Sequence, residues 1–580
     1  MAKIIALKTT IFSALIFSIT LLSPSLLRAQ NIPAGEQPGA QAGRFQQDVE
    51  KAKQSLEKKR LKLPPVEIEK EKEEKPAAEG VSFILKEIRI TGTTIFKPED
   101  FRPIYEPYLN KTVSFKDLEV IMENIKAKYK EKGYLTTTAY IPEQEVKDGK
   151  IEIRVLEGRL GEVKVEENKW FAAAVVKRYI HAKKGAPLNI LKLQKDLLRL
   201  NQNPDLEIKA ILSKGQEVGT SDIIVKVADK FPYHVGASVD NLGTRLVGRY
   251  RTSISFRSTN LTGGNDSIFV NTLMSRSSAG DFVSYKMPLD TYGTDIGIDY
   301  TYFRMRLGKE YRSENISGDT QIYTPYISKE IYLSERLQAN IKSGLEIKSV
   351  KNRTRGRITT NDQLRLPYLG FEFTGTDSLF SGGQTTFLPK FVFGTSDFLG
   401  ASPRDHTLAS RAATGGFFFK YEQVLQRIQK MPFDSYLSIR SQFQSTTHTL
   451  PSSEQLQLGG AYSVRGYPEG DYLADVGANL NLDWVFPMYL IPESWKLPHA
   501  DTPLRHQIEP VVFVDLGGGR LLKPAAGERR DKVLLGVGGG LKVRFNKNLF
   551  LNLLWADHIG NQPTDSMGES HFHMTFQFEI

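Results

Sequence analysis

The chain has 580 residues, a net charge of +11 and no cysteine. That length exceeds one ordinary globular core, so it predicts several domains or one very large barrel. The absence of cysteine excludes disulfide scaffolds, zinc–thiolate sites, iron–sulfur clusters and thiol nucleophiles. Positive charge alone is a poor argument for nucleic acid. The lysines are dense at 51–73 and 111–152, where glutamates are interleaved with them, as on solvated faces.

Residues 1–29 read as a secretory signal peptide. Lys3 and Lys8 precede an apolar run from Ile11 to Leu22, Pro24 breaks it, and cleavage is expected after Ala29. No later stretch offers the roughly 18 consecutive apolar residues of a membrane helix, so any membrane work falls to strands. Residues 30–43 are rich in Gln, Pro, Gly and Ala and read as flexible. Residues 44–61 consist of strong helix formers without Gly or Pro. The apolar positions Phe45, Val49 and Leu56 are too sparse for a dry core, so this helix belongs in water or in a polar cavity. Residues 62–80 are a charged, proline-bounded linker.

Two compact units follow, at 81–157 and 158–230. In the first, "FILKEIRITG" reads as a strand. Leu118, Ile121, Ile125 and Tyr129 mark one helical face, which Gly133 ends. "YLTTTAYIP" and "GKIEIRVLEG" read as strands. The second unit repeats this order: "GEVKVEE", helices in "WFAAAVVKRYIHA" and "NILKLQKDLLRLNQNP", then "LEIKAILSKG" and "TSDIIVKVAD". A repeat of this length points to two related α+β domains.

From 231 to 580 helical periodicity vanishes. Short alternating runs recur between turn signals such as "TGGND" and "DTYGTD". At the end, Phe572, Met574, Phe576, Phe578 and Ile580 share one face of a strand, and His571, His573, Thr575, Gln577 and Glu579 share the other. Lipid outside and water inside would produce that pattern. At about 20–24 residues per strand with its connection, the region supplies roughly 16 strands of an antiparallel transmembrane barrel. A tall soluble β-sandwich would give a similar alternation. Within this region "LGGAYSVRGYPEGDYLADVG" sets Arg465 in a glycine-bounded loop. "LGVGGGLKVRF" is glycine-rich without nucleotide-binding spacing, and reads as strands packed closely or bent. Phosphate-loop, zinc-helix and nucleophile-elbow motifs are absent. His571 and His573 without a third ligand do not make a metal site. No catalytic residue, cofactor or metal is expected.

The layout resembles the two-partner secretion transporters (TpsB, of the haemolysin/haemagglutinin secretion-activation type) in the outer-membrane-protein assembly superfamily. The marks are the VRGY loop as Val464, Arg465, Gly466 and Tyr467, with flanking Gly459, Gly460 and Gly470. A second mark is the F-x-D-x-G strand as Phe513, Asp515 and Gly517. A third is the opening barrel hairpin "VDNLGTRLVGRYR", with Asp240, Asn241 and Gly243. The resemblance implies two periplasmic polypeptide-transport-associated (POTRA) domains before the barrel and a polar helix at 44–61 that plugs the lumen. It implies a loop folded inward, with Arg465 paired to Asp515. It also implies export of a large adhesin- or haemolysin-type partner carrying an N-terminal secretion domain, with outer-membrane lipid and assembly machinery as further partners. One departure stands out: such barrels usually end in an aromatic residue, and this chain ends in Ile580. A barrel-assembly factor of the same superfamily, a passive porin, and a secreted enzyme or adhesin remain as rival readings.

Overall fold

The computed structural model describes residues 34–580 apart from 58–62, 69–81, 413, 499–501, 546–547 and 564–571. The signal-peptide segment, most of the 62–80 linker and His571 therefore lie outside the described residues. Helix α1 spans Pro38–Glu57. It starts before the expected position 44, inside a stretch whose composition reads as flexible. Proline is pre-organised for a first helical turn. Gly39 is a place of close approach, since a Cβ there would lie 3.0 Å from Ser452 Oγ.

Strand β1 is Val66–Ile68. The first α+β unit comprises β2 (Ser82–Ile84), β3 (Glu87–Thr91), α2 (Arg102–Tyr105), β4 (Thr112–Ser114), α3 (Phe115–Glu131), β5 (Thr138–Tyr140) and β6 (Lys150–Leu156). The single strand expected from 83 to 92 is thus two. Leu85 turns fully into the core, and the Lys86 amide donates to Gly149 O at 2.8 Å, so the chain changes partners there. β3 and β6 pair in parallel, and β5 pairs antiparallel on β6. Helix α3 opens with a reciprocal cap between Ser114 and Asp117. It buries Leu118, Ile121, Ile125 and Tyr129 against the sheet.

The second unit holds β7 (Arg159–Glu166), α4 (Ala173–Arg178), α5 (Ile190–Leu200), β8 (Leu206–Lys214) and β9 (Thr220–Asp229). α4 is shorter than the expected helix. The backbone amides of Lys169, Trp170 and Phe171 all donate to the Asp229 carboxylate, which fixes the preceding residues as a turn. The sheet order is β1-β8-β9-β7. The linker is therefore not structureless throughout: Val66, Glu67 and Ile68 pair in parallel with Ala210, Ile211 and Leu212. Local propensity gives three residues between charges no strand signal; the open edge of β8 supplies the partner.

The barrel strands are β10 (Tyr233–Asp240), β11 (Arg251–Ser258), β12 (Ser267–Ser275), β13 (Ser278–Pro288), β14 (Thr294–Arg306), β15 (Ser317–Leu333), β16 (Leu337–Thr354), β17 (Arg357–Asp377), β18 (Gly383–Gly394), β19 (Phe418–Lys430) and β20 (Tyr436–Thr446). A small hairpin of β21 (Leu456–Leu458) and β22 (Tyr472–Ala474) lies between β20 and β23 (Val476–Val485). β24 (Ile508–Arg520), β25 (Asp531–Phe545), β26 (Leu549–Ile559) and β27 (Phe572–Glu579) complete a closed antiparallel barrel of sixteen strands. β27 pairs with β10, and Ile580 continues that ladder by exchanging backbone bonds with Val235 at 2.9 and 3.1 Å. Phe572, Phe576, Phe578 and Ile580 are outward and exposed, while His573 is buried on the opposite face. Strands β15–β17 are the longest, and at about 3.3 Å per residue they far exceed the reach of a bilayer.

The second unit is bolted to one edge of the barrel. Arg199 donates to Glu330 at 2.7 Å and to Thr291 O at 3.1 Å. The His181 ring stacks on Tyr292 at 4.1 Å and bonds Thr291 Oγ1 at 2.8 Å.

Candidate functional site in the barrel lumen

Residues 447–475 connect β20 to β23 and fold back into the barrel. The hairpin of β21 and β22 forms the stem, and the tip carries Val464 to Tyr467. Gly459 and Gly460 both have φ +100°, in the region that disfavours a side chain. A Cβ on Gly459 would lie 2.5 Å from Pro468 O. This close fold-back brings Arg465 down onto the inner wall.

Arg465 is 4% exposed and Asp515 is fully buried. Arg465 donates from Nε to Asp515 Oδ2 and from Nη2 to Asp515 Oδ1, both at 2.6 Å, a bidentate fork. Its backbone amide donates to the same Oδ2 at 3.0 Å. Asn481 Nδ2 donates to Asp515 Oδ1 at 2.8 Å. The structure thus brings together the two residues that the motifs singled out. It adds a second carboxylate: Asp483 Oδ1 accepts from Arg465 Nη2 at 2.5 Å, and its Oδ2 accepts from Lys542 Nζ at 3.0 Å. Phe513 lies beneath the guanidinium, 3.5 Å from the ring centroid, which is cation–π geometry. Removing one partner of such a buried pair costs on the order of 3–5 kcal/mol.

The glycines explain how the tip fits. Gly466 has φ +91°, and a Cβ there would meet Asp557 C at 2.5 Å. A Cβ on Gly536 would lie 2.0 Å from Arg465 O, and one on Gly517 would lie 2.6 Å from Val464 Cγ2. Gly536 on β25 and Gly517 on β24 therefore leave the gap in the wall that the loop tip fills, while Gly538, Gly539 and Gly540 lie close against the neighbouring strands. Val464 and Tyr467 pack with Leu458, Tyr472, Leu521 and Leu534, and Tyr467 donates to Asn561 O at 2.9 Å.

Three further charges hold the loop. Glu454 accepts from Lys348 on β16 at 2.5 Å and from Lys420 on β19 at 2.7 Å. Asp475 accepts from Arg411 at 2.7 Å and from the Leu522 amide at 2.9 Å. Asp471 pairs with Lys532 at 2.5 Å. The sequence reading missed these, and it missed Asp483. For Asp483 a signal exists: Asn479, Asn481 and Asp483 alternate with Leu480, Leu482 and Trp484, so the aspartate faces the lumen.

Helix α1 lies inside the barrel beside this loop. Arg44 reaches Glu469 at 3.6 Å and Gln457 at 3.2 Å. Asp48 accepts from Arg251 at 2.8 Å, and Arg251 also holds Asp240 at 2.8 Å. Asn241 joins the last strand, donating to Phe572 O and accepting from the Met574 amide, both at 2.8 Å. Gly243 closes the first hairpin, its amide donating to Arg249 O at 2.9 Å. Phe45 and Val49 do not sit in a polar environment. They pack on Phe269, Leu273, Phe282, Phe303 and Met305, an apolar patch of the wall, with Phe45 and Phe303 stacked at 5.5 Å. The lumen thus provides an apolar seat that composition does not reveal. The Leu56 side chain lies outside the described residues. Among the described residues, no group of three or more His, Cys, Asp or Glu is placed to hold a metal ion.

A buried loop clamped to the wall, a helix filling the lumen and two α+β units ahead of the barrel form one set of parts, and comparisons with known proteins give it a family. Residues 219–543 match the haemolysin secretion/activation proteins ShlB/FhaC/HecB. Residues 83–158 match the ShlB-type POTRA domain. The heme/hemopexin transporter protein HuxB of Haemophilus influenzae is 25% identical over 499 residues, covering 83% of this chain and 85% of HuxB. The outer membrane transporter CdiB of Dickeya dadantii is 24% identical over 73% of this chain and 74% of its own length. The solved structure of CdiB from Escherichia coli superposes with a TM-score of 0.71 at 18% identity, over 93% of this chain and 98% of that one, which shows the shared fold. The chain belongs to the haemolysin secretion/activation (ShlB/FhaC/HecB) family, the TpsB outer-membrane β-barrel transporters with periplasmic POTRA domains.

Proposed function

We propose that this transporter exports one large partner, received unfolded in the periplasm and passed through the barrel, with the 447–475 loop as the element that keeps the lumen competent. The observation that carries this reading is the buried clamp of Arg465 on Asp515 and Asp483 beside a helix-filled lumen. The partner is of the adhesin or haemolysin type with an N-terminal secretion domain, in keeping with relatives named for heme/hemopexin and hemolysin transport. Barrel insertion draws on the outer-membrane assembly machinery, with β27 and Ile580 as the segment presented to it. Two α+β units at 81–157 and 158–230 act as the receiving domains. An extended segment adds to a free sheet edge by β-augmentation. β5 beside α3 offers such an edge, with Leu135 and Tyr140 exposed. In the second unit β1 already occupies the β8 edge.

Arg465→Ala tests the role of the loop. The barrel is expected to insert and resist heat as before, while export of the cognate partner falls at least tenfold. Asp515→Asn is expected to give the same loss. Unchanged export from an inserted Arg465→Ala barrel would remove the loop from the mechanism.

A further inference from the structure

Thr291 and Glu330, which His181 and Arg199 reach, mark the POTRA end of the barrel. The connections after β18, β20 and β24 lie at the opposite, extracellular end. The first of these does not stay on its own rim. Its stretch 395–411 begins along β17, beyond the point where β18 stops at Gly394. The Thr395 amide donates to Arg365 O at 3.1 Å, the Ser402 amide to Gln363 O at 2.7 Å, and the Asn361 amide to Leu408 O at 2.7 Å. The stretch then turns over the lumen. The Ser410 amide donates to Asp362, buried on the inner side of β17, at 3.0 Å. Ser410 Oγ accepts from the Ser452 amide, at the root of the inward loop, also at 3.0 Å.

The stretch ends on Arg411. Its Nη1 donates to Asp475 Oδ1 at 2.7 Å and to Leu450 O at 3.0 Å, and its Nη2 donates to Lys523 O at 3.3 Å. β17 and β24 are five strands apart in the barrel order, so the path from Gln363 to Lys523 is a chord across the mouth. Asp475 is fully buried, and both of its oxygens are occupied. Oδ1 also accepts from the Leu450 amide at 3.1 Å and from Gln455 Nε2 at 3.2 Å, and Oδ2 accepts from the Leu522 amide at 2.9 Å. One carboxylate thus fastens three separate connections, through bonds strengthened by its charge. Beneath the chord lies the plug: a Cβ on Gly39 of α1 would come within 3.0 Å of Ser452 Oγ. The chord, the root of the inward loop and the first turn of α1 are stacked in one column.

Resting on the export reading above, we propose that 395–411 is a lid over the extracellular mouth, latched by Arg411 on Asp475, and that the latch opens at each passage of the partner. The Arg465 clamp holds the tip of the inward loop to the wall. The Arg411 latch holds a different connection to the root of that loop, so a shift of the root releases the lid. Arg411 and Asp475 act as positioning residues that set where the lid lies.

The absence of cysteine makes the test direct. Ser410→Cys and Ser452→Cys are introduced together in the full-length chain and oxidised, with bond formation followed by mass spectrometry. Export of the cognate partner is expected to fall at least tenfold in the oxidised pair and to return on reduction. Undiminished export with the bond formed would overturn the proposal. Export by the unaltered chain tests the transport reading itself, whereas the ratio between the oxidised and the reduced pair tests the lid alone. A second measurement needs no export assay. Ser452 is 1% exposed. Ser452→Cys is labelled on intact cells with a membrane-impermeant maleimide. Adding Arg411→Ala is expected to raise the labelling rate at least fivefold, and Arg411→Lys to restore most of the protection. An unchanged rate in an inserted Arg411→Ala barrel would show that the pair does not hold the mouth shut, and would overturn the latch.

Discussion

Arg465 owes its place to what its neighbours lack. The wall at Gly536 has no side chain where the Arg465 carbonyl passes, and an added Cβ would come within 2.0 Å of that backbone oxygen. Backbone cannot swing aside as a flexible side chain can. Gly536→Ala is therefore expected to unseat the loop tip, leave the barrel inserted and make 459–475 cleavable by an external protease. Continued protease resistance would show that the tip tolerates displacement. A second buried carboxylate works in the POTRA unit. Glu157 accepts from the Thr94 hydroxyl, from the Thr94 and Ile95 amides at 2.7 and 2.9 Å and from the Tyr129 hydroxyl at 2.8 Å. Burial acts to raise its carboxyl, but these hydrogen bonds outweigh burial and hold it below its ordinary value. A lowered carboxylate contributes stability above the unfolded value of about 4.3 and loses it as pH falls through the folded value. Hydrogen exchange on the full chain is thus expected to show protection at 94–95 and in α3 falling below pH ~4. Glu157→Gln is expected to cost about 1–3 kcal/mol at pH 7 and to lack that acid step. Retention of the same step in the variant would assign it to another group.

At the level of elements, the period-2 pattern of β27 and the helical face of α3 were legible because each is written locally. Arg465 and Asp515 were legible through their motifs; Asp483 was passed over, although alternation along β23 marks it as lumen-facing. Glu454 was not legible, since its partners Lys348 and Lys420 lie 106 and 34 residues away. The same holds for β1, whose strand character comes from the edge it meets, and for the apolar seat of Phe45, which is assembled from β12, β13 and β14. The start of α1 at Pro38 depended on contacts with the inward loop. For β1 a direct consequence follows. The Ala210 amide donates to Pro65 O at 3.2 Å. Deleting 66–68 is expected to raise hydrogen exchange at Ala210 and Leu212 at least tenfold while β9 stays protected. No change at those amides would mean that β1 contributes nothing to holding the edge.

At the scale of the whole molecule, α1 fills the lumen with its N-terminal end against the outer loop and its C-terminal end toward the POTRA units. Gly35 touches Gly470, and Lys53 donates to Ser284 at 2.7 Å. Deleting 38–57 is expected to raise ion conductance in planar bilayers severalfold. Asp48→Ala, which cuts the helix from Arg251 while Arg251 stays on Asp240, is expected to increase the frequency of openings. Equal conductance with and without the helix would exclude it as the plug. The pairing of β1 adds a mechanical term. Between Glu57 and Val66 the backbone spans at most about 30 Å when fully drawn out. The helix end is therefore on a leash staked to the POTRA sheet, and travel beyond that radius must peel β1 from β8. Far withdrawal of the plug and opening of that sheet edge are then one movement, so a segment able to compete for the edge would lengthen the leash.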